Sequence, residues 1–299
     1  MSNKNSIEGM LIKAIGGLYF AETPLGILEC KARGIFRKQN LSPCAGDKVI
    51  ITDIEGNRGV VDKILPRKNS IIRPPLANLD YIVFVTSTCE PYPNLVLLDK
   101  FLAIAKYKGI KSIIAITKID LQNNAELMEI YKKSETEFVE VDYESPSSYM
   151  RIYDIISGKI TAFTGNTGVG KSTLLNHIID DLDLKTGEIS QKLGRGRHTT
   201  RNVELFKLKN GGYIADTPGF STFETQKYDI ILKNELSLCF PEFSEYEGKC
   251  KFTDCAHIKE KGCAVIDAVH NGFIPSSRYN SYVEMYEEAR NIKEWEINK

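Results

Sequence analysis

The 299-residue chain carries 39 Lys and Arg against 39 Asp and Glu, a formal net charge of zero. That balance excludes a global basic field, so any nucleic-acid contact must come from local patches. With 42% hydrophobic and 26% charged residues the composition is that of a soluble globular protein with room for two or three domains. The polar start Met1-Ser2-Asn3-Lys4-Asn5 lacks the apolar core of a secretory signal. No apolar run reaches the roughly 20 residues that span a bilayer. The expectation is a cytoplasmic protein with no membrane segment.

Residues 7–66 read as all-β. Apolar runs such as Gly9–Ala14, Leu18–Ala21, Gly26–Cys30 and Asp47–Thr52 are broken by Gly16-Gly17, Pro43 and Gly46. Short strands with such turn signals predict a small barrel, and a five-stranded OB-fold fits the length. Pro66-Arg67-Lys68-Asn69 and Arg73-Pro74-Pro75 mark a linker.

From Tyr81 the pattern changes to apolar strand, amphipathic helix, apolar strand. Tyr81–Thr86 is a buried strand, and Leu95, Leu98, Phe101, Leu102 and Ala105 fall at helical spacing between Asn94 and Tyr107. Ile113–Ile116, Phe138–Val141 and Ile160–Phe163 follow as strands. Such alternation predicts a doubly wound, mostly parallel sheet, with ligands at the carboxyl ends of its strands.

Three motifs sit at those ends. Thr117-Lys118-Ile119-Asp120 comes first, then Gly165-Asn166-Thr167-Gly168-Val169-Gly170-Lys171-Ser172, then Asp216-Thr217-Pro218-Gly219. The glycine-rich run matches a phosphate loop, whose backbone N–H groups and helix N-terminus favour phosphate. Lys171 is expected on the β- and γ-phosphates, Ser172 on Mg²⁺, and Thr173 in the same nucleotide-contacting run. Asp216 is expected to hold Mg²⁺ through water, and the Gly219 N–H to meet the γ-phosphate. The Asp120 carboxylate can accept hydrogen bonds from the N1–H and N2–H₂ of guanine, which adenine does not offer, while the Lys118 stem covers the ring. Asn is usual where Thr117 stands, so one side-chain amide contact is lost. The base-reading motif precedes the phosphate loop, the reverse of ordinary small GTPases, and this order predicts a circularly permuted P-loop GTPase domain.

Gly194-Arg195-Gly196-Arg197-His198-Thr199-Thr200-Arg201 lies between the phosphate loop and Asp216. Thr199 or Thr200 is placed to complete the Mg²⁺ shell, as in a switch I loop. Phe220 follows Asp-Thr-Pro-Gly where many GTPases have a water-orienting Gln, leaving His198 the nearest catalytic candidate in sequence; it can equally contact RNA. The other function class this leaves open is a GTP-sensing RNA-binding module with negligible hydrolysis.

Beyond about Tyr228 the chain turns helical. Cys250, Cys255, His257 and Cys263 supply three thiolates and one imidazole, the ligand set of a closed structural Zn²⁺ site; chance clustering of reduced cysteines is the alternative. Residues 276–296 predict an amphipathic helix with Tyr279, Tyr282, Val283, Tyr286, Ala289 and Ile292 on one face and Glu284, Glu287 and Glu288 on a solvated one.

Together these motifs resemble the RsgA (YjeQ/YloQ) family of circularly permuted GTPases. Arg33-Gly34, Gly46-Asp47, Pro66–Asn69 and Arg73–Asp80 carry the likeness beside the reversed motif order, the basic loop, Asp-Thr-Pro-Gly-Phe and the Cys/His cluster. The resemblance implies an OB-fold RNA-binding domain over 1–69, a GTPase domain over 70–225 and a mainly helical zinc domain over 226–299. It further implies a late maturation factor of the 30S subunit that binds 16S rRNA and cycles between GTP and GDP. Hydrolysis is expected to be weak alone and stimulated by the particle, and the protein to be a monomer.

Overall fold

Alternation of buried and exposed residues from Ile7 onward builds five strands: β1 (Ile7–Ile15), β2 (Leu18–Thr23), β3 (Gly26–Ala32), β4 (Lys48–Glu55) and β5 (Arg58–Ile64). A short helix, α1 (Ile35–Lys38), follows β3. In this computed structural model, which describes residues 6–38, 41–179, 203–216 and 230–292, the strands close in the order β1-β2-β3-β5-β4. Leu11, Ala21, Leu28, Cys30, Val49, Ile51 and Val61 point inward and are buried. The predicted five-stranded barrel is present.

The stretch read as a linker is held in place on the barrel. Arg67 clamps the buried Asp47 carboxylate, Nε to Oδ1 at 2.6 Å and Nη2 to Oδ2 at 2.8 Å. A small hairpin, β6 (Ser70–Ile71) with β7 (Leu76–Ala77), then packs against Gly46. That glycine has φ +89°, and a Cβ on it would sit 2.1 Å from the Ala77 carbonyl oxygen, so only glycine fits. The charged pairing that stiffens the segment joins positions twenty apart.

The second sheet runs β10 (Glu137–Glu140), β9 (Lys111–Thr117), β8 (Tyr81–Ser87), β11 (Ile160–Thr164), β13 (Tyr213–Asp216), β12 (Leu205–Lys207). Only the β12–β13 pair is antiparallel; the others are parallel. Both faces are covered, so the strands read as continuous apolar runs. On β8, Ile82 and Phe84 join the core under α2 (Leu95–Tyr107) and α3 (Ala125–Tyr131), while Val83 and Val85 join the one under α4 (Pro146–Ile155) and α5 (Lys171–Ile179). The chain starts at the sheet centre, travels outward through β9 and β10, then returns to β11 on the other side of β8. The crevice at the carboxyl ends of β8 and β11 is therefore a topological switch point, the usual ligand position in such sheets.

The C-terminal region holds two 3-10 segments, Leu236–Cys239 and Pro241–Tyr246, and the helices α6 (Ala264–His270) and α7 (Ser276–Arg290). Tyr282 of α7 packs edge-on against Phe240 and Phe243. The glutamates of α7 are not only a solvated face. Glu284 and Glu288 both grip the Lys100 ammonium of α2, at 2.9 and 2.8 Å. Deeper in the same interface, Arg278 pairs with Asp99 at 2.7 Å and Glu242 at 2.6 Å. Tyr131 Oη donates to the same Asp99 oxygen at 2.7 Å.

Candidate functional site

β11 ends at Thr164 and α5 begins at Lys171, with the phosphate loop between them. Gly168 and Gly170 have φ of +85° and +89°, a region that favours glycine. Gly165 is required for another reason: a Cβ there would lie 2.4 Å from the Val85 carbonyl oxygen. The loop is thus laid directly on the end of β8. Val169 is buried beneath it, whereas Thr167, Gly168, Ser172 and Thr173 are exposed and Asn166 and Lys171 half-buried. This is strand, glycine loop and helix N-terminus in the order that phosphate recognition needs.

Thr117 ends β9 and is fully buried. Its hydroxyl donates to the Val169 carbonyl at 2.6 Å, with the Thr86 carbonyl at 3.1 Å. The expected loss of an amide contact is accompanied by this hydroxyl tie, which joins the base-reading motif to the phosphate loop. Lys118 follows in the left-handed region, φ +57°. Its carbonyl accepts from Thr88 Oγ1 at 2.6 Å and from the Leu121 N–H at 3.0 Å, and its ammonium donates to the Glu90 carbonyl. These bonds hold a strained turn. Ile119 packs against the core and Asp120 is exposed just beyond it.

A third segment meets the same edge. The loop after β10, Val141-Asp142-Tyr143, has no motif that marks it as part of a site. Yet Tyr143 Oη donates to the Gly170 carbonyl at 3.0 Å, and burial pushes the Tyr143 phenol up to about 12, so it stays a donor near neutrality. Thr88, on the loop after β8, was equally silent in sequence. The structure thus brings together Thr117–Asp120 and Gly165–Thr173. Asp216 ends β13, whose partner β11 leads into the phosphate loop. His198, Thr199, Thr200 and Gly219 lie outside the described residues.

The second candidate centre is in the C-terminal region. The ligand atoms of Cys250, Cys255, His257 and Cys263 all lie within 4.8 Å of one another. Cys250 Sγ is 3.9 Å from Cys263 Sγ, and His257 Nδ1 is 3.3 Å from Cys263 Sγ. Thiolates at the usual Zn–S distance in a tetrahedron stand about 3.8 Å apart, so the spacing suits one small ion. Neighbours brace the shell: the Ala264 N–H donates to Cys250 Sγ at 3.4 Å, Tyr279 Oη to the His257 carbonyl and Tyr282 Oη to the Ala256 carbonyl. Glu260 accepts backbone N–H groups of Ala256, Ile258 and Lys259, fixing the loop that carries two ligands. Burial and the neighbouring sulfurs push the Cys255 thiol up to about 12, and burial holds His257 below its ordinary value. A cation would reverse the first and suits the second, because it binds thiolate and neutral imidazole. Cys239 and His270 are not part of this cluster.

Comparison with known proteins agrees with this geometry. Residues 64–226 match the RsgA GTPase family and residues 8–61 the RsgA N-terminal domain. A small ribosomal subunit biogenesis GTPase RsgA from Streptococcus pneumoniae is 42% identical over 288 residues, 96% of each chain. Another from Ruminiclostridium cellulolyticum is 40% identical over 297 residues, covering 97% of this chain and 96% of the relative. Among solved structures, YjeQ from Thermotoga maritima superposes with a TM-score of 0.79 at 33% identity, over 96% of this chain and all of that one. YloQ, a circularly permuted GTPase, gives 0.76 at 32% over 98% of both. Among the described residues no helix is long and apolar enough to cross a membrane. With a barrel, a permuted nucleotide-binding sheet and a Cys₃His cluster in one chain, this protein belongs to the RsgA GTPase family.

Proposed function

We propose that this chain hydrolyses GTP to GDP and phosphate as a maturation factor of the small ribosomal subunit. One observation carries the reading: the base-reading motif and the phosphate loop meet at the sheet's switch point, joined by the 2.6 Å bond from Thr117 Oγ1 to the Val169 carbonyl. In this reading Asp120 selects guanine, Lys118 covers the ring, and Gly165–Thr173 hold the phosphates through backbone N–H groups, Lys171 and Ser172. Ser172, Asp216 and Thr200 hold Mg²⁺, which when bound neutralises charge on the β- and γ-phosphates.

Hydrolysis joins a water oxygen to the γ-phosphorus and breaks its bond to the β–γ bridging oxygen. Lys171 and the Gly219 N–H stabilise the charge that develops, and His198 orients the water or takes its proton. The Cys250, Cys255, His257 and Cys263 set holds one structural Zn²⁺, whose binding energy contributes to folding of the 226–299 domain. The barrel (1–69) serves 16S rRNA contact beside the GTPase domain (70–225), in a monomer working in the cytoplasm.

Phosphate release measured with and without purified 30S subunits tests this. The reading expects slow release alone and faster release with the particle. GTP-dependent binding to the particle without phosphate release at any concentration would replace it with the nucleotide-sensing module.

A further inference from the structure

The loop between β10 and α4 contains no nucleotide-binding motif, yet one of its side chains reaches the phosphate loop. Tyr143 Oη donates to the Gly170 carbonyl at 3.0 Å. Gly170 is the residue immediately before Lys171, and a Cβ on it would come within 2.9 Å of that hydroxyl. The Tyr143 ring is held in place from a second element: it stacks on His177 of α5, centroids 5.2 Å apart at 23°. His177 also stacks with Tyr149 of α4, at 5.0 Å and 29°.

Two successive carbonyls of the phosphate loop thus accept from hydroxyls on two different segments, the end of β9 and the loop after β10. Val169 accepts from Thr117 and Gly170 from Tyr143. In a trans peptide the C=O and the following N–H point in opposite directions. Holding the Val169 carbonyl therefore aims the Gly170 N–H, and holding the Gly170 carbonyl aims the Lys171 N–H. These are donors of the kind that line an anion nest. The Leu174 N–H already bonds the Gly170 carbonyl at 2.9 Å as the first turn of α5, so Tyr143 occupies the oxygen's second lone pair. It ties the helix start sideways to the base side of the site.

We propose that Tyr143 is a positioning residue of the nucleotide site, setting the Gly170–Lys171 peptide relative to the loops that read the base. This rests on the reading of Gly165–Thr173 and Thr117–Asp120 as a guanine-nucleotide site. The role is carried by the hydroxyl, while the ring stack holds that hydroxyl in place.

Stopped-flow release of a fluorescent GDP, N-methylanthraniloyl-GDP, from the full-length protein tests it. Tyr143→Phe keeps the ring and removes only the hydroxyl. One hydrogen bond is lost, so release should speed up about 3- to 10-fold. Preference for GDP over ADP should not change, because Asp120 reads the base. Tyr149→Phe, which removes a hydroxyl from the next ring of the same stack but breaks no bond to the loop, should release at the wild-type rate. Wild-type release from Tyr143→Phe with only a lowered melting temperature would overturn the proposal in favour of a structural role. Equal acceleration by Tyr149→Phe would overturn it as well, since loss of a nearby hydroxyl in general, and not of the bond to Gly170, would be responsible. A wild-type protein that does not bind the probe would instead overturn the underlying reading of the site.

Discussion

Thr117 at the end of β9 and Val169 in the phosphate loop are 52 positions apart and joined by a 2.6 Å hydrogen bond, with the threonine fully buried. The proposed base-reading and phosphate-binding motifs are therefore tied together. Thr117→Val keeps the shape and removes the donor, leaving a buried carbonyl short of its partner, which costs about 1–3 kcal/mol. Titration calorimetry with GDP should show affinity falling by roughly 5- to 150-fold. Affinity within a factor of two of wild type would mean the bond does not organise the site.

Asp120 is exposed at the mouth of the same unit, free of the packing that fixes Thr117. Asp120→Asn should leave the fold intact and shift preference from guanine towards xanthine nucleotides, whose C2 carbonyl accepts from the amide. Competition between GTP and XTP for the variant checks this, and retained GTP preference would remove Asp120 from base recognition.

The Cys₃His cluster should contain one zinc per chain when the protein is purified without chelator, by elemental analysis. Cys255→Ala should lose the metal and raise hydrogen exchange around the 250–263 loop and α6, while GDP affinity stays near wild type. The physical reason is that Lys251–Asp254, Lys259, Lys261 and Gly262 of the ligand loop are exposed, so metal binding contributes to its folding energy.

Between α2 and α7, two charged contacts look alike but should differ in strength. Arg278, Asp99 and Glu242 are all buried, with side-chain exposures of 1%, 0% and 2%. Arg278→Ala strands two carboxylates away from water, a loss of about 3–5 kcal/mol. Lys100 is as buried, but Glu284 and Glu288 are about half exposed, so after Lys100→Met they turn to solvent and the loss is about 1 kcal/mol or less. Urea denaturation of the two variants should rank them in that order; equal losses would refute the distinction.

Much of this architecture was legible because its signals are local. The glycine spacing of 165–170 and the Asp120 turn each lie within a few residues and the four metal ligands within fourteen, while short apolar runs broken by turn residues marked the barrel and continuous apolar runs the central strands. What was hidden depends on distant partners. Helical periodicity located the apolar face of α7 but could not tell that Glu284 and Glu288 meet a lysine 184 and 188 positions away. Pro and Arg at 66–75 mark a linker but do not show that Arg67 pairs with Asp47 twenty positions away. Tyr143 and Thr88 act through backbone carbonyls, which place no demand on sequence that a motif could register.

In the proposed function Thr117–Asp120 and Gly165–Thr173 form one guanine-specific hydrolytic site. Its most direct test is phosphate release from GTP and from ATP, by wild type and Lys171→Ala, at saturating 30S subunits. GTP should turn over, ATP hardly at all, and the rate should fall on the order of 10²-fold or more when Lys171 is removed. Equal turnover of the two nucleotides, or GTP hydrolysis undiminished in Lys171→Ala, would contradict it.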